Sequence, residues 1–135
     1  MKRAFHVVYT LLALNFILPA VVYAVAPDRA VASFVGIGAM FGVPYGHAED
    51  SVLWRVLAIA NVGTLGFLCV LVQVDLKRYW ATLYGLWFLK SMASLGFAIA
   101  FVLEPYPGYL AAALLDGVSV ALMVVFARGA RREIA

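Results

Sequence analysis

The sequence predicts an all-α integral membrane protein, a four-helix bundle, and three observations carry that reading. The 135-residue chain is 66% hydrophobic and only 13% charged, outside the balance usual for soluble domains. Its apolar residues collect into four long runs, at about residues 5–25, 52–74, 79–103 and 109–127, each able to cross a ~30 Å hydrocarbon core at ~1.5 Å rise per residue. The backbone inside a bilayer has no water to bond, so such runs must be helical. The third observation is where the charges fall. Lys2 and Arg3 precede the first run, Lys77 and Arg78 join the second to the third, and Arg128, Arg131 and Arg132 follow the fourth.

Seven of the ten basic residues thus fall on one side of an even number of spans. By the positive-inside rule that side is the cytoplasm. The opposite side carries Asp28, Glu49, Asp50 and Glu104, with Arg29 as its clear loop cation. The expected topology is antiparallel and up-down, with both termini cytoplasmic. The expected location is the bacterial cytoplasmic (inner) membrane, crossed by one transmembrane domain spanning residues 1–135.

Taken in order, the first run has features of a cleavable leader: Lys2-Arg3, an apolar stretch and the small-residue end Val22-Tyr23-Ala24. Its apolar core is longer than a leader needs, so it is read as a retained span, with Pro19 kinking it or marking its last turns. The outer loop, residues 26–51, contains an apolar, glycine-bearing stretch from Arg29 to Phe41. It reads as a short helix at the outer interface, with a lid over the bundle mouth as the alternative. Asp50 or Ser51 would cap the second span. Gly63 and Gly66 in that span, and Gly96 with Ala100 in the third, suit close helix packing. Asp75-Leu76-Lys77-Arg78 is nearly the whole inner connection, and Glu104-Pro105-Tyr106-Pro107-Gly108 is a rigid turn into the fourth span. Tyr9, Tyr23, Trp54, Tyr79, Trp80, Tyr106 and Tyr109 lie near span ends, where aromatic anchors belong.

The informative residues are the polar ones at depth. Lys90 lies near the bilayer centre in the third span, and Asp116 lies about 10–12 Å below the outer surface in the fourth. Asn61 in the second span and Asn15 in the first are at related depths, with Thr64, Ser91, Ser94 and Ser119 close by. A lone charge at the bilayer centre costs from about 3 to over 10 kcal/mol. Two of opposite sign in adjacent helices are therefore expected to meet, directly or through water, flanked by Asn61 and Asn15. One reading makes the cluster architectural, setting helix register. The other makes it a ligand or proton site. Arg55, Glu49, Asp50 and His47 form a second polar group at the outer mouth, where Arg55 either joins the acids or reaches the headgroups.

Several chemistries lack their residues. Cys69 is the one cysteine, which removes disulfides and paired-thiol redox chemistry. His6 and His47 fall on opposite sides of the membrane and cannot share a metal or a haem. His47-Ala48-Glu49-Asp50 combines imidazole and carboxylates but lacks a fixed ligand spacing. No nucleophile elbow, zinc helix or phosphate-cradling glycine loop is present. The basic residues are dispersed over helix ends, which is not a nucleic-acid surface. No catalytic residue, metal site or cofactor is expected.

The stretches Asn15-Phe16-Ile17-Leu18-Pro19, Glu49-Asp50-Ser51-Val52-Leu53-Trp54-Arg55 and Leu115-Asp116-Gly117 resemble small bacterial membrane proteins of the DoxX-like group. Four spans, a proline ending the first and an acidic residue in the fourth extend that resemblance over the whole chain in architecture. It implies the fold and no assigned activity. Small multidrug exporters fit less well, because they need a glutamate in the first span where this chain has Asn15. The expected function is that of a non-catalytic accessory or scaffold subunit, in contact with the lipid bilayer and with a membrane-protein partner or a second copy of itself. The alternative is a small-ligand or lipid binding or transport protein using Lys90, Asp116, Asn61 and Asn15. An enzyme acting on a lipid or isoprenoid comes third.

Overall fold

A computed structural model describes residues 2–45 and 52–134. Within them the chain forms five α-helices and no strand: α1 (Lys2–Val25), α2 (Pro27–Met40), α3 (Val52–Val74), α4 (Thr82–Leu103) and α5 (Pro107–Ile134). Four of these, all but α2, are long and apolar enough to cross a membrane. His47, Glu49, Asp50 and Ser51 lie outside the described residues, so the proposed cap of α3 and three of the outer-mouth residues do too.

The local signals act where the residue chemistry places them. α1 runs through Pro19 and ends at Val25. Pro27 occupies the first turn of α2, where its missing N–H costs nothing, and Asp28 adds negative charge to the same positive end. Gly42 ends α2 with a left-handed backbone (φ 68°). Its N–H donates to the Ala39 carbonyl (3.1 Å), and the Val43 N–H donates to that of Gly38 (2.9 Å). This pair of bonds satisfies carbonyls that the helix end leaves open. Pro107 opens α5, and Arg131 and Arg132 sit in its last turn, beside the negative end of the helix dipole. Residues 76–81 form a run of turns, so α4 starts a few residues later than the apolar run, while α5 extends well past it.

α1 packs most extensively on α3, and α4 on α5; contact between α1 and α5 joins the two pairs, while α3 meets α4 sparsely. The first turn of α1 lies beside the last turn of α5, where the Lys2 N–H donates to Glu133 Oε2 (2.8 Å). Further along, the Tyr9 hydroxyl donates to the Met123 carbonyl (3.0 Å) and Thr10 Oγ1 to Gln73 Oε1 (3.0 Å). The hydrophobic core is concentrated towards this basic end: Phe5, Tyr9, Phe16, Cys69, Val72, Leu83, Leu86 and Met123 are fully buried or nearly so. Nothing beyond Leu86 on α4 is fully buried, nor any described side chain of α3 before Leu65. The large buried side chains of α1, α3 and α4 gather at this end, while the other end is joined by the packing of α2 on α1 and α5.

Two expectations are corrected here. Tyr9 and Tyr106 are not anchors at a lipid interface: both are buried, at 0% and 2% exposure, and spend their hydroxyls inside the protein. Gly96 does not serve helix packing within the chain, because no atom of another helix lies within 4 Å of where its side chain would begin. Gly66 does, for a side chain there would collide with Ile17 of α1.

Candidate functional site

Lys90 and Asp116 meet as a direct ion pair between α4 and α5, Nζ to Oδ1 2.5 Å. Both side chains are enclosed, at 12% and 14% exposure. The two helices approach closely enough because Gly117 and Ser94 face each other across the seam: a Cβ on Gly117 would sit 3.3 Å from Ser94 Oγ. Ser94 Oγ in turn donates to the Ala113 carbonyl (2.8 Å), a second bond between the helices one turn from the ion pair. The ammonium of Lys90 also lies over the ring of Phe16 in α1, 4.7 Å from its centroid. An aromatic face attracts a desolvated cation by as much as about 2 kcal/mol. Lys90 therefore touches α5 through charge and α1 through the ring, and ties three helices together.

The asparagines do not join this pair. Asn15 and Asn61 are both exposed, and neither side chain makes a hydrogen bond among the described residues. Their heights along the helices match the ion pair, but their faces do not. Asn15 is next to the buried Phe16, and one residue turns a helix by about 100°. Thr64 and Ser91 are exposed as well, while Ser119 donates back to the Leu115 carbonyl (2.8 Å). Arg55 is half-buried near the start of α3. The described geometry of the site is thus a neutralised Lys–Asp pair, with the seam hydroxyl of Ser94 spent on a backbone carbonyl.

The sequence reading missed two features. The first is an aromatic hub under α2, made of Phe34, Tyr45, Tyr106, Tyr109 and Phe97. The Tyr106 hydroxyl reaches the Phe34 and Val35 carbonyls (both 3.0 Å) and accepts the Gly38 N–H (3.2 Å). Two glycines in one short helix were the available signal, since glycine weakens a helix interior by about 1 kcal/mol relative to alanine. Beside the hub, an apolar groove of about 430 Å³ opens between α1, α2 and α5, lined by Leu18, Tyr23, Phe34, Ile37, Ala111 and Leu115 among others. The second is a basic, aromatic groove at the other end, between the start of α4 and the end of α5. Among the described residues, no three His, Cys, Asp or Glu side chains come together to hold a metal.

No protein-family model, curated protein or solved structure matches this chain.

Proposed function

We propose that this is a multi-pass protein of the bacterial cytoplasmic membrane, antiparallel with both termini cytoplasmic, that serves as a non-catalytic accessory or scaffold subunit. The observation that carries this reading is the outward face of α4. Only Leu83 and Leu86 of that helix are fully buried, and Phe88, Met92, Leu95, Ile99 and Val102 are exposed. Gly96 stands open on the same helix, four residues before Ala100. Small residues at this spacing let a second membrane helix approach closely. Gly66 and Gly117 have such partners within the chain, and Gly96 does not.

The polar residues support the same reading. Lys90 and Asp116 are consumed by holding α4 on α5 and α1. Asn15 and Asn61 point outward at depths where an amide without a partner is costly. Another membrane helix would supply that partner. The resemblance to the DoxX-like group is carried as part of this proposal, on architecture.

A second reading, binding of a lipid or other small apolar ligand, is favoured by the groove between α1, α2 and α5. Extraction from the native membrane in mild detergent, followed by mass spectrometry of what is retained, separates the two. The subunit reading expects a stoichiometric protein partner or a homo-oligomer that is lost in Gly96→Leu, with the isolated bundle no less stable. Retention of a small molecule by a monomeric bundle, unaffected by Gly96→Leu, would overturn it.

A further inference from the structure

We propose that the groove between the start of α4 and the end of α5 is a binding site for the phosphodiester headgroup of an anionic membrane lipid. This rests on the membrane-spanning reading but not on the subunit reading. The groove measures about 410 Å³ and is lined by Trp80, Tyr84, Trp87, Arg128, Arg131 and Arg132. Three arginines line it, and no acidic residue does.

The two acids at this end of the molecule are engaged elsewhere. Asp75 Oδ1 accepts the Arg78 N–H (3.0 Å), and Glu133 Oε2 accepts the Lys2 N–H. None of the three arginines forms an ion pair among the described residues. Three cations lining one groove with no carboxylate among them favour an anion from outside the chain. The planar guanidinium matches phosphate oxygens two at a time.

The aromatic wall makes the site more than diffuse charge. Trp80, in the turn before α4, and Tyr84 and Trp87 on its first turns form one wall in edge-to-face contact, with Trp80 against Trp87 and Tyr84 against Trp87. Trp80 Nε1 donates to the Tyr84 hydroxyl (3.3 Å). Arg131 lies over the Trp80 ring, its guanidinium carbon 4.2 Å from the centroid, a cation–π contact made without any ligand. The ligand must also be partly apolar. The groove lies where the exposed apolar face of α4, beginning with Tyr84 and Phe88, gives way to the arginines of α5. A headgroup at Arg128 and Arg132 would leave its acyl chains running along Tyr84 and Phe88. Basic pockets of this kind between spanning helices suit anionic lipids.

Tryptophan fluorescence quenching in a Trp54→Phe background provides the test, since the two remaining tryptophans, Trp80 and Trp87, line the groove. The full chain is reconstituted into phosphatidylcholine vesicles containing increasing fractions of brominated phosphatidylglycerol or brominated phosphatidylcholine. The expected result is half-maximal quenching at a several-fold lower fraction of the anionic lipid. Arg128→Gln with Arg132→Gln, which leaves the Arg131–Trp80 stack in place, should abolish that preference, whereas Lys2→Gln with Lys77→Gln should keep it. Equal quenching by both lipids would overturn the groove while leaving the membrane reading intact. Equal loss in the lysine variant would reduce it to diffuse charge. Reversal by millimolar inorganic phosphate at constant ionic strength would make it a free-phosphate site and overturn the lipid assignment. Quenching by neither lipid would overturn the membrane reading itself.

Discussion

Tyr106 occupies the space that a side chain at Gly38 would need. Its hydroxyl also accepts the Gly38 N–H, so the α4–α5 turn is locked under α2 by one ring across 68 residues of sequence. This explains why the stretch read as an interfacial connector is joined to the end of the bundle.

The first prediction uses the sign of a glycine substitution. In an open helix, glycine to alanine stabilises by about 1 kcal/mol. Gly36, with nothing within 4 Å, should behave so. Gly38→Ala should do the opposite and cost about 1–3 kcal/mol, because a ring held by its own hydrogen bonds cannot yield. Thermal unfolding of both variants in detergent checks this, and a Gly38→Ala protein as stable as Gly36→Ala would remove the lock.

The Lys90–Asp116 pair gives a second prediction. Removing one partner of an enclosed ion pair strands the other charge, at a cost of about 3 kcal/mol or more. Lys90→Met and Asp116→Leu should each destabilise by about that amount. The double substitution should recover most of the loss, since two apolar side chains need no partner. Denaturation by sodium dodecyl sulfate in mixed micelles reads all three. A double variant as unstable as the sum of the singles would mean that the two residues act independently.

How far this geometry was legible depends on what sequence distance encodes. Length and hydropathy prescribe the four long helices, because a bilayer leaves the backbone no other satisfied form. The meeting of Lys90 and Asp116 was legible for a similar reason, as the penalty for a lone charge compels a partner. The exclusion of Asn15 and Asn61 was not. Position along a helix fixes depth closely, but the face is fixed only by which neighbour packs where. Phe16 and Asn15 share a depth, and one is buried while the other faces outward. Tyr106 was hidden by its setting: in a Pro/Gly turn at the end of a span it has the features of an anchor, and only the fold brings Gly38 to it.

The α1–α3 seam supports a third prediction. A side chain on Gly66 would meet Cγ1 and Cδ1 of Ile17 and, at 3.3 Å, its backbone nitrogen. Gly66→Ala should therefore cost about 1–3 kcal/mol, against its favourable helix propensity. Adding Ile17→Ala removes the colliding atoms and should return part of the loss, with a coupling of about 0.5 kcal/mol or more. Purely additive stabilities would show that the seam tolerates the added methyl group.

Topology is the last prediction, and the chain's one cysteine makes it direct. Cys69 is fully buried in the core, so intact protein should resist a water-soluble maleimide until detergent unfolds it. In a Cys69→Ala background, a cysteine at position 77 lies in the turn between α3 and α4, and one at position 29 in the first turns of α2. If both termini face the cytoplasm, Arg29→Cys should be modified by an impermeant maleimide added to intact cells or spheroplasts. Lys77→Cys should be modified only once the membrane is opened. The reverse pattern would invert the molecule and place the arginine groove on the outer leaflet. Reaction of both residues from the same side would break the alternation of the four spans, since residues 29 and 77 are separated by the whole of α3.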